Sequence, residues 1–182
     1  MRRGTTKHES GPDVFVTAMF GIMAAIISFG ITLVLLGENT RIAMTSQTIA
    51  GDLRLIYPTA QKSDHSPERA FDGSTAPDSF WEASGPFPIE LTIEFPQPKT
   101  LSSYTLKAGE NVSRMPSMWT AEGSKDGQGW MLLDQQKIEG PWEPYDSREF
   151  RLSYDQPLRQ LRFRFLAGFD SSLLRIYEIE LH

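Results

Sequence analysis

Residues Ala70–Trp81, AFDGSTAPDSFW, set a dense run of turn-forming residues between aromatic ones. Asp72-Gly73 is a strong turn signal, because glycine tolerates positive φ and aspartate bonds its own following backbone. Pro77 stops any helix from running through. Phe71, Phe80 and Trp81 read as buried, so the polar residues between them would be held rigidly. Such a loop suits a metal site, a ligand loop or a plain corner of a β-sandwich, and the residues alone leave all three open.

Downstream of this stretch the chain reads as strands. Ile89, Leu91, Ile93 and Phe95 alternate with Glu90, Thr92 and Glu94, a period of two with one wet face. Leu161, Phe163 and Phe165 alternate with Arg162 and Arg164 in the same way. Trp119–Gly123 and Trp130–Leu133 flank SKDGQG, whose Asp-Gly marks a hairpin turn. Leu101–Leu106, the positions Phe150, Leu152 and Tyr154, and Ile176–Leu181 complete a series of short strands, the pattern of an all-β sandwich.

Upstream lies a different kind of sequence. The 182-residue chain has a formal charge of −5 and no cysteine. From Val14 to Leu36 it runs VFVTAMFGIMAAIISFGITLVLL without a charge, long enough as a helix to cross a hydrocarbon core of roughly 30 Å. A cleaved leader has an apolar core of only about 7–15 residues and a small-x-small cleavage site, and GENTRIAM after Leu36 offers none. The run therefore reads as a single transmembrane helix. Arg2, Arg3 and Lys7 precede it, which puts the tail 1–13 in the cytoplasm and the rest outside, in the periplasm if the source is bacterial. Thr17, Gly21, Ala25, Ser28 and Thr32 share one face of that helix, and all are small enough to pack closely on another helix in lipid.

Residues 37–56 read as a connecting stalk and 57–182 as the globular domain. Beyond the tail, 15 basic residues face 21 acidic ones. That balance repels phosphate backbones and argues against nucleic acid as a partner. A domain without disulfides must be held by its core alone.

With the strands placed, the order of AFDGSTAPDSFW, PIELTIEFPQPKTLSSYTL, PSMWTAEGSKDGQGWMLLD, FRLSYDQPLRQLRFRF and IYEIEL resembles the discoidin family, the factor V/VIII type C domains of the galactose-binding-like group. The resemblance implies a jelly-roll sandwich of about eight strands, with Trp81, Trp119 and Trp130 in its core, where the family buries tryptophans. It further implies loops at one end that bind sugars, lipids or proteins. The disulfide common in animal members is missing, which resembles the bacterial type. Sugar-binding relatives often hold a structural calcium ion, and the matching positions here are Asp72, Ser79 and Glu178. Two carboxylates, a hydroxyl and loop carbonyls suit its six to eight oxygen ligands. The competing reading makes Asp72 a turn cap and Glu178 a solvated strand residue.

Sugar recognition needs an aromatic face and planar polar groups on one rim. The candidates are His65, Arg69, Glu110, Asn111, Arg114, Trp142, Tyr145 and Phe169. Trp142 equally reads as a plug for the sandwich's end. No acid–base set converges: His8, His65 and His182 are the only histidines, and the pairs Glu90/Glu94 and Glu178/Glu180 fall on wet strand faces. The expectation is a non-catalytic, membrane-anchored module that binds a glycan or another surface ligand. The alternative is an accessory subunit of a larger membrane complex, its helix packed on partner helices and its sandwich bracing the partner's outer face.

Overall fold

The computed structural model describes strand 44–48, residues 53–58 and residues 65–182. The apolar run 14–36, with the packing face of Thr17, Gly21, Ala25, Ser28 and Thr32, lies outside the described residues. Among the described residues no helix is long and apolar enough to cross a membrane.

Eleven strands form the described part: β1 (Met44–Thr48), β2 (Arg54–Pro58), β3 (Trp81–Ser84), β4 (Ile89–Lys99), β5 (Ser103–Lys107), β6 (Pro116–Ser124), β7 (Met131–Lys137), β8 (Ser147–Arg151), β9 (Leu158–Gly168), β10 (Leu173–Ile176) and β11 (Glu178–Leu181). One layer is a six-stranded antiparallel sheet in the order β1-β2-β4-β9-β6-β7. Facing it are a three-stranded sheet, β11-β5-β8, and a two-stranded one, β10-β3.

The period-two pattern accounts for both faces of the large sheet. Ile89, Leu91, Ile93 and Phe95 of β4, and Leu161, Phe163 and Phe165 of β9, are all buried. They meet aromatic residues of the opposite layer: Trp81 lies edge-on to Phe165, and Tyr104 edge-on to Phe163. Tyr104 also accepts the Trp119 indole N–H at 2.8 Å and donates to Asp134 at 2.6 Å, so its hydroxyl is satisfied inside the core. Burial, reinforced by Asp134, holds the Tyr104 phenol protonated well above its ordinary range. On the outer face, register sets Glu90 opposite Arg164 and Glu122 opposite Arg162, and each pair is closed by a hydrogen bond from the guanidinium Nε, at 2.7 and 2.9 Å.

Three expectations change. The segment read as a stalk, 37–56, contributes β1 and the start of β2, so the folded unit begins before Tyr57. An added edge pair is recognisable only once its partner β4 exists. The strand expected at Phe150–Tyr154 ends at Arg151. Trp130 is half-buried rather than core: it lies beside the hairpin turn, with the Arg162 guanidinium 4.0 Å from its ring centroid.

Candidate functional site

Antiparallel pairing gathers four connections at one end of the sandwich. β4 starts at Ile89, opposite Phe165 near the end of β9, and β6 starts at Pro116, opposite Gly168. Met118 in early β6 is opposite Lys137, the end of β7, and Ser147 at the start of β8 is opposite Lys107, the end of β5. The segments 85–88, 108–115, 138–146 and 169–172 therefore form a single rim. Glu110, Asn111, Arg114, Trp142, Tyr145 and Phe169 all lie on it.

Backbone bonds tie these loops together. The Tyr145 N–H donates to the Gly109 carbonyl at 3.1 Å, and the Phe169 N–H to the Met115 carbonyl at 3.0 Å. Tyr145 adopts φ 62°, an uncommon conformation for a residue with a Cβ, and its side chain is 59% exposed. Phe169 is 41% exposed. Two aromatic rings thus stand out of the loops on either side of 109–115. Trp142, by contrast, is 1% exposed and donates its indole N–H to the Pro116 carbonyl at 2.8 Å. Its reading as a ligand contact is corrected: it plugs the end of the sandwich, with the Arg148 guanidinium 4.3 Å from its ring centroid.

Behind the rim lies a cluster built on Glu82, which is 2% exposed. Arg114 Nη1 and Arg175 Nη2 each reach Glu82 Oε2 at 2.7 Å. The Arg175 guanidinium sits 3.8 Å from the centroid of the Phe80 ring, and the His65 ring stacks on that same phenylalanine at 4.0 Å. Tyr177 adjoins Phe80, and its hydroxyl accepts the Asn111 N–H at 3.2 Å. His65, Asn111 and Arg114 are therefore brought together, but through four residues that the sequence reading did not place in a site: Phe80, Glu82, Arg175 and Tyr177. The one available signal was a charge at a strand position between buried neighbours, Glu82 after Trp81 and Arg175 between Leu174 and Ile176. Asp170 lies close by. The N–H of Ser172, its hydroxyl and the Leu173 N–H hold the Asp170 carboxyl below its ordinary range, and the Arg114 charge adds to this.

Arg69 belongs elsewhere, which corrects its assignment to the ligand set. It sits on the 3-10 turn Pro67–Phe71 and donates to the Asp78 carbonyl at 2.7 Å, bracing loop 72–79.

Loop 72–79 brings Asp72 and Ser79 into contact and lays the Gly73 backbone on Glu178. Asp72 accepts the Ser74 N–H at 2.8 Å with Oδ1 and the Ser79 hydroxyl with Oδ2. Glu178 accepts the Gly73 N–H at 3.0 Å. Gly73 takes φ 76°, which lets the chain fold back over β11. Glu178 is consequently 4% exposed, not on a wet face. Burial first, then the nearby Asp72 and Glu180 charges, push the Glu178 carboxyl up to about 7 against the opposing Gly73 N–H. Two carboxylates close enough for one to raise the other, with a hydroxyl beside Asp72, are oxygen donors of the kind a hard cation takes. Among the described residues no group of three or more histidine, aspartate and glutamate side chains could by itself hold a metal ion.

The chain matches the F5/8 type C domain over residues 56–179. It belongs to the F5/8 type C family. Solved structures share the fold at low identity. A family 32 carbohydrate-binding module (CBM32-1) from a family 31 glycoside hydrolase of Clostridium perfringens is 14% identical, with a TM-score of 0.62 over 72% of this chain and 94% of that one. The family 32 module of C. perfringens NanJ, solved with galactose, is 13% identical, with a TM-score of 0.57 over 71% and 90%. A chitosan-binding module from a Paenibacillus chitosanase/glucanase, solved with chitotriose, is 13% identical, with a TM-score of 0.56 over 71% and 94%. No curated protein matches the chain significantly. In this F5/8 type C domain, the rim of 85–88, 108–115, 138–146 and 169–172 is the end where the exposed Tyr145 and Phe169 stand.

Proposed function

We propose that this F5/8 type C domain is a non-catalytic glycan-binding module, held outside the cytoplasm by an N-terminal membrane anchor at 14–36. The observation that carries the glycan reading is the pair of exposed rings, Tyr145 and Phe169, flanking the polar loop of Glu110, Asn111 and Arg114. Sugars stack on such rings and hydrogen-bond to planar polar groups beside them. The bound galactose and chitotriose of the structural relatives point in the same direction. A fragment spanning 44–182, tested on a glycan array and then by calorimetry, is expected to bind a sugar, and Tyr145→Ala to weaken binding about tenfold, equivalent to roughly 1.4 kcal/mol. Phe169→Ala should do likewise. A blank array would sink this reading.

The small-residue face of the anchor supports a second one, an accessory subunit whose helix packs on partner helices. Purification of the full chain in mild detergent separates the two. Fixed membrane partners favour the subunit, and a free monomer removes it.

We also propose calcium as a structural ion held by Asp72, Ser79 and Glu178. In chelator, the folded state keeps a proton on Glu178 that the unfolded chain releases near 4.5, the ordinary value of a glutamate. Stability should therefore fall as pH rises from there through about 7, and level off above. Calcium at pH 8 should raise the melting temperature, and Glu178→Gln should abolish both effects. A melting temperature indifferent to calcium would remove the ion.

A further inference from the structure

The point where the chain joins the sandwich bears on what the rim can reach. β2 runs from Arg54, opposite Glu94, to Ile56, opposite Thr92, so Pro58 reaches the level where β4 begins. β1 starts with Met44 opposite Pro58. Met44 is therefore at the rim end, not at the end formed by the hairpin 125–130 and the connections 100–102 and 152–157. Gly168, where the last rim loop departs, lies beyond Phe165, the partner of Ile89. At about 3.3 Å per strand residue, the rim loops begin on the order of 10 Å past the level of Met44. Sideways, β2 and β4 separate β1 from β9, about 14 Å at roughly 4.8 Å per strand.

Residues 37–43 are all that lies between the apolar run and Met44. A chain spans at most about 3.3–3.6 Å per residue, so this tether reaches no more than about 25 Å. A short tether attached at the rim end brings that end to the bilayer and leaves the other end pointing away.

We infer that the rim faces the membrane carrying the anchor, so that its ligand is a neutral glycan presented on that surface, the headgroup of a glycolipid in the leaflet the domain overlies. The charge of the rim selects neutral headgroups. Among the described residues, Glu110, Glu139 and Glu143 are exposed there against one exposed cation, Lys137 at the end of β7, whereas Arg114 is paired with Glu82 and Arg148 with Asp146. Such a surface is repelled by anionic lipids. Tyr145 and Phe169, exposed at the same end, suit the interfacial zone, where aromatic rings are at home. The inference rests on the anchor and glycan readings proposed above.

The natural absence of cysteine permits clean single-site labelling of the full chain. Ser171→Cys marks the rim and Asp155→Cys the opposite end, and both positions are exposed. After reconstitution into phosphatidylcholine vesicles containing a nitroxide-headgroup lipid, fluorophore quenching at position 171 is expected to be several-fold greater than at 155. Galactosylceramide in the same vesicles should shift the emission of the label at 171, and Tyr145→Ala should remove the shift while preserving the order of quenching. Equal or reversed quenching overturns the inference, as does a chain that fails to float with the vesicles. A label at 171 indifferent to galactosylceramide, with a fragment that binds free sugar, overturns it too. Silence of the fragment towards free sugars would instead sink the glycan reading itself.

Discussion

Glu82→Ala is expected to lower the unfolding free energy by about 3–5 kcal/mol, the cost of leaving buried charge without its partner. Glu82 is almost fully enclosed, and its Oε2 takes a bond from both Arg114 and Arg175. Arg175 is itself mostly buried and lies against the Phe80 ring, so it cannot swing out to water without abandoning that contact. Arg114 is more exposed and can partly recover its hydration. The loss should accordingly exceed that of Arg114→Ala, where Glu82 keeps Arg175. Equilibrium urea unfolding measures both. A loss from Glu82→Ala below about 1 kcal/mol, the size of an exposed pair, would mean that the cluster is solvated and does not hold the rim. Because Arg114 also precedes the strand start at Pro116 and its carbonyl accepts the Arg175 N–H at 2.8 Å, sugar binding should weaken alongside stability.

Gly109→Ala should cost roughly 3 kcal/mol, through overpacking rather than lost contacts. A Cβ at this position would fall inside the ring of Tyr177, which is buried and cannot yield freely. Displacing Tyr177 breaks its hydroxyl bond with the Asn111 N–H and disturbs Phe80 beside it. The Gly109 carbonyl also holds Tyr145 in place, so the rim ring should lose its fixed orientation. In a Tyr177→Ala background the same glycine change should cost little more, and a double-mutant cycle reads that coupling. Additive losses would show that the ring is not the obstacle.

Much of the sandwich was legible because strand burial is a local property. Successive side chains point to opposite faces, so the alternation in β4 and β9 announces the inner face without knowledge of the neighbours. The turn signals at Asp72-Gly73 and Asp126-Gly127 are local as well: both glycines adopt positive φ, 76° and 81°. The β1–β2 pair was not legible, since an edge strand is defined by the strand it joins. Its pairing with β4 shifts the start of the folded unit into what reads as a stalk.

The candidate site divides along the same line. Residues 139–147, EGPWEPYDS, contain two large aromatic residues, and nothing in their composition says which turns inward. Trp142 does, because its indole N–H finds the Pro116 carbonyl across the fold, while Tyr145 is turned out by its left-handed backbone. Glu178 looked solvated because alternation alone assigns it to the outer face; a loop more than a hundred residues earlier folds over it. Glu82 and Arg175 are likewise far apart in the chain, and only the pairing of β3 with β10 sets them opposite each other.

By itself, then, the sequence determined the all-β class and the inward faces of the long strands, which follow from backbone periodicity and turn chemistry acting over a few residues, while the order of its motifs carried the resemblance to the family. Only the tertiary structure decided which aromatic rings stand on the rim, which carboxylates are buried and at which end the chain joins the sandwich. Each of those outcomes is set by contacts between segments distant in sequence, whose free energies exist only once the sheets have paired.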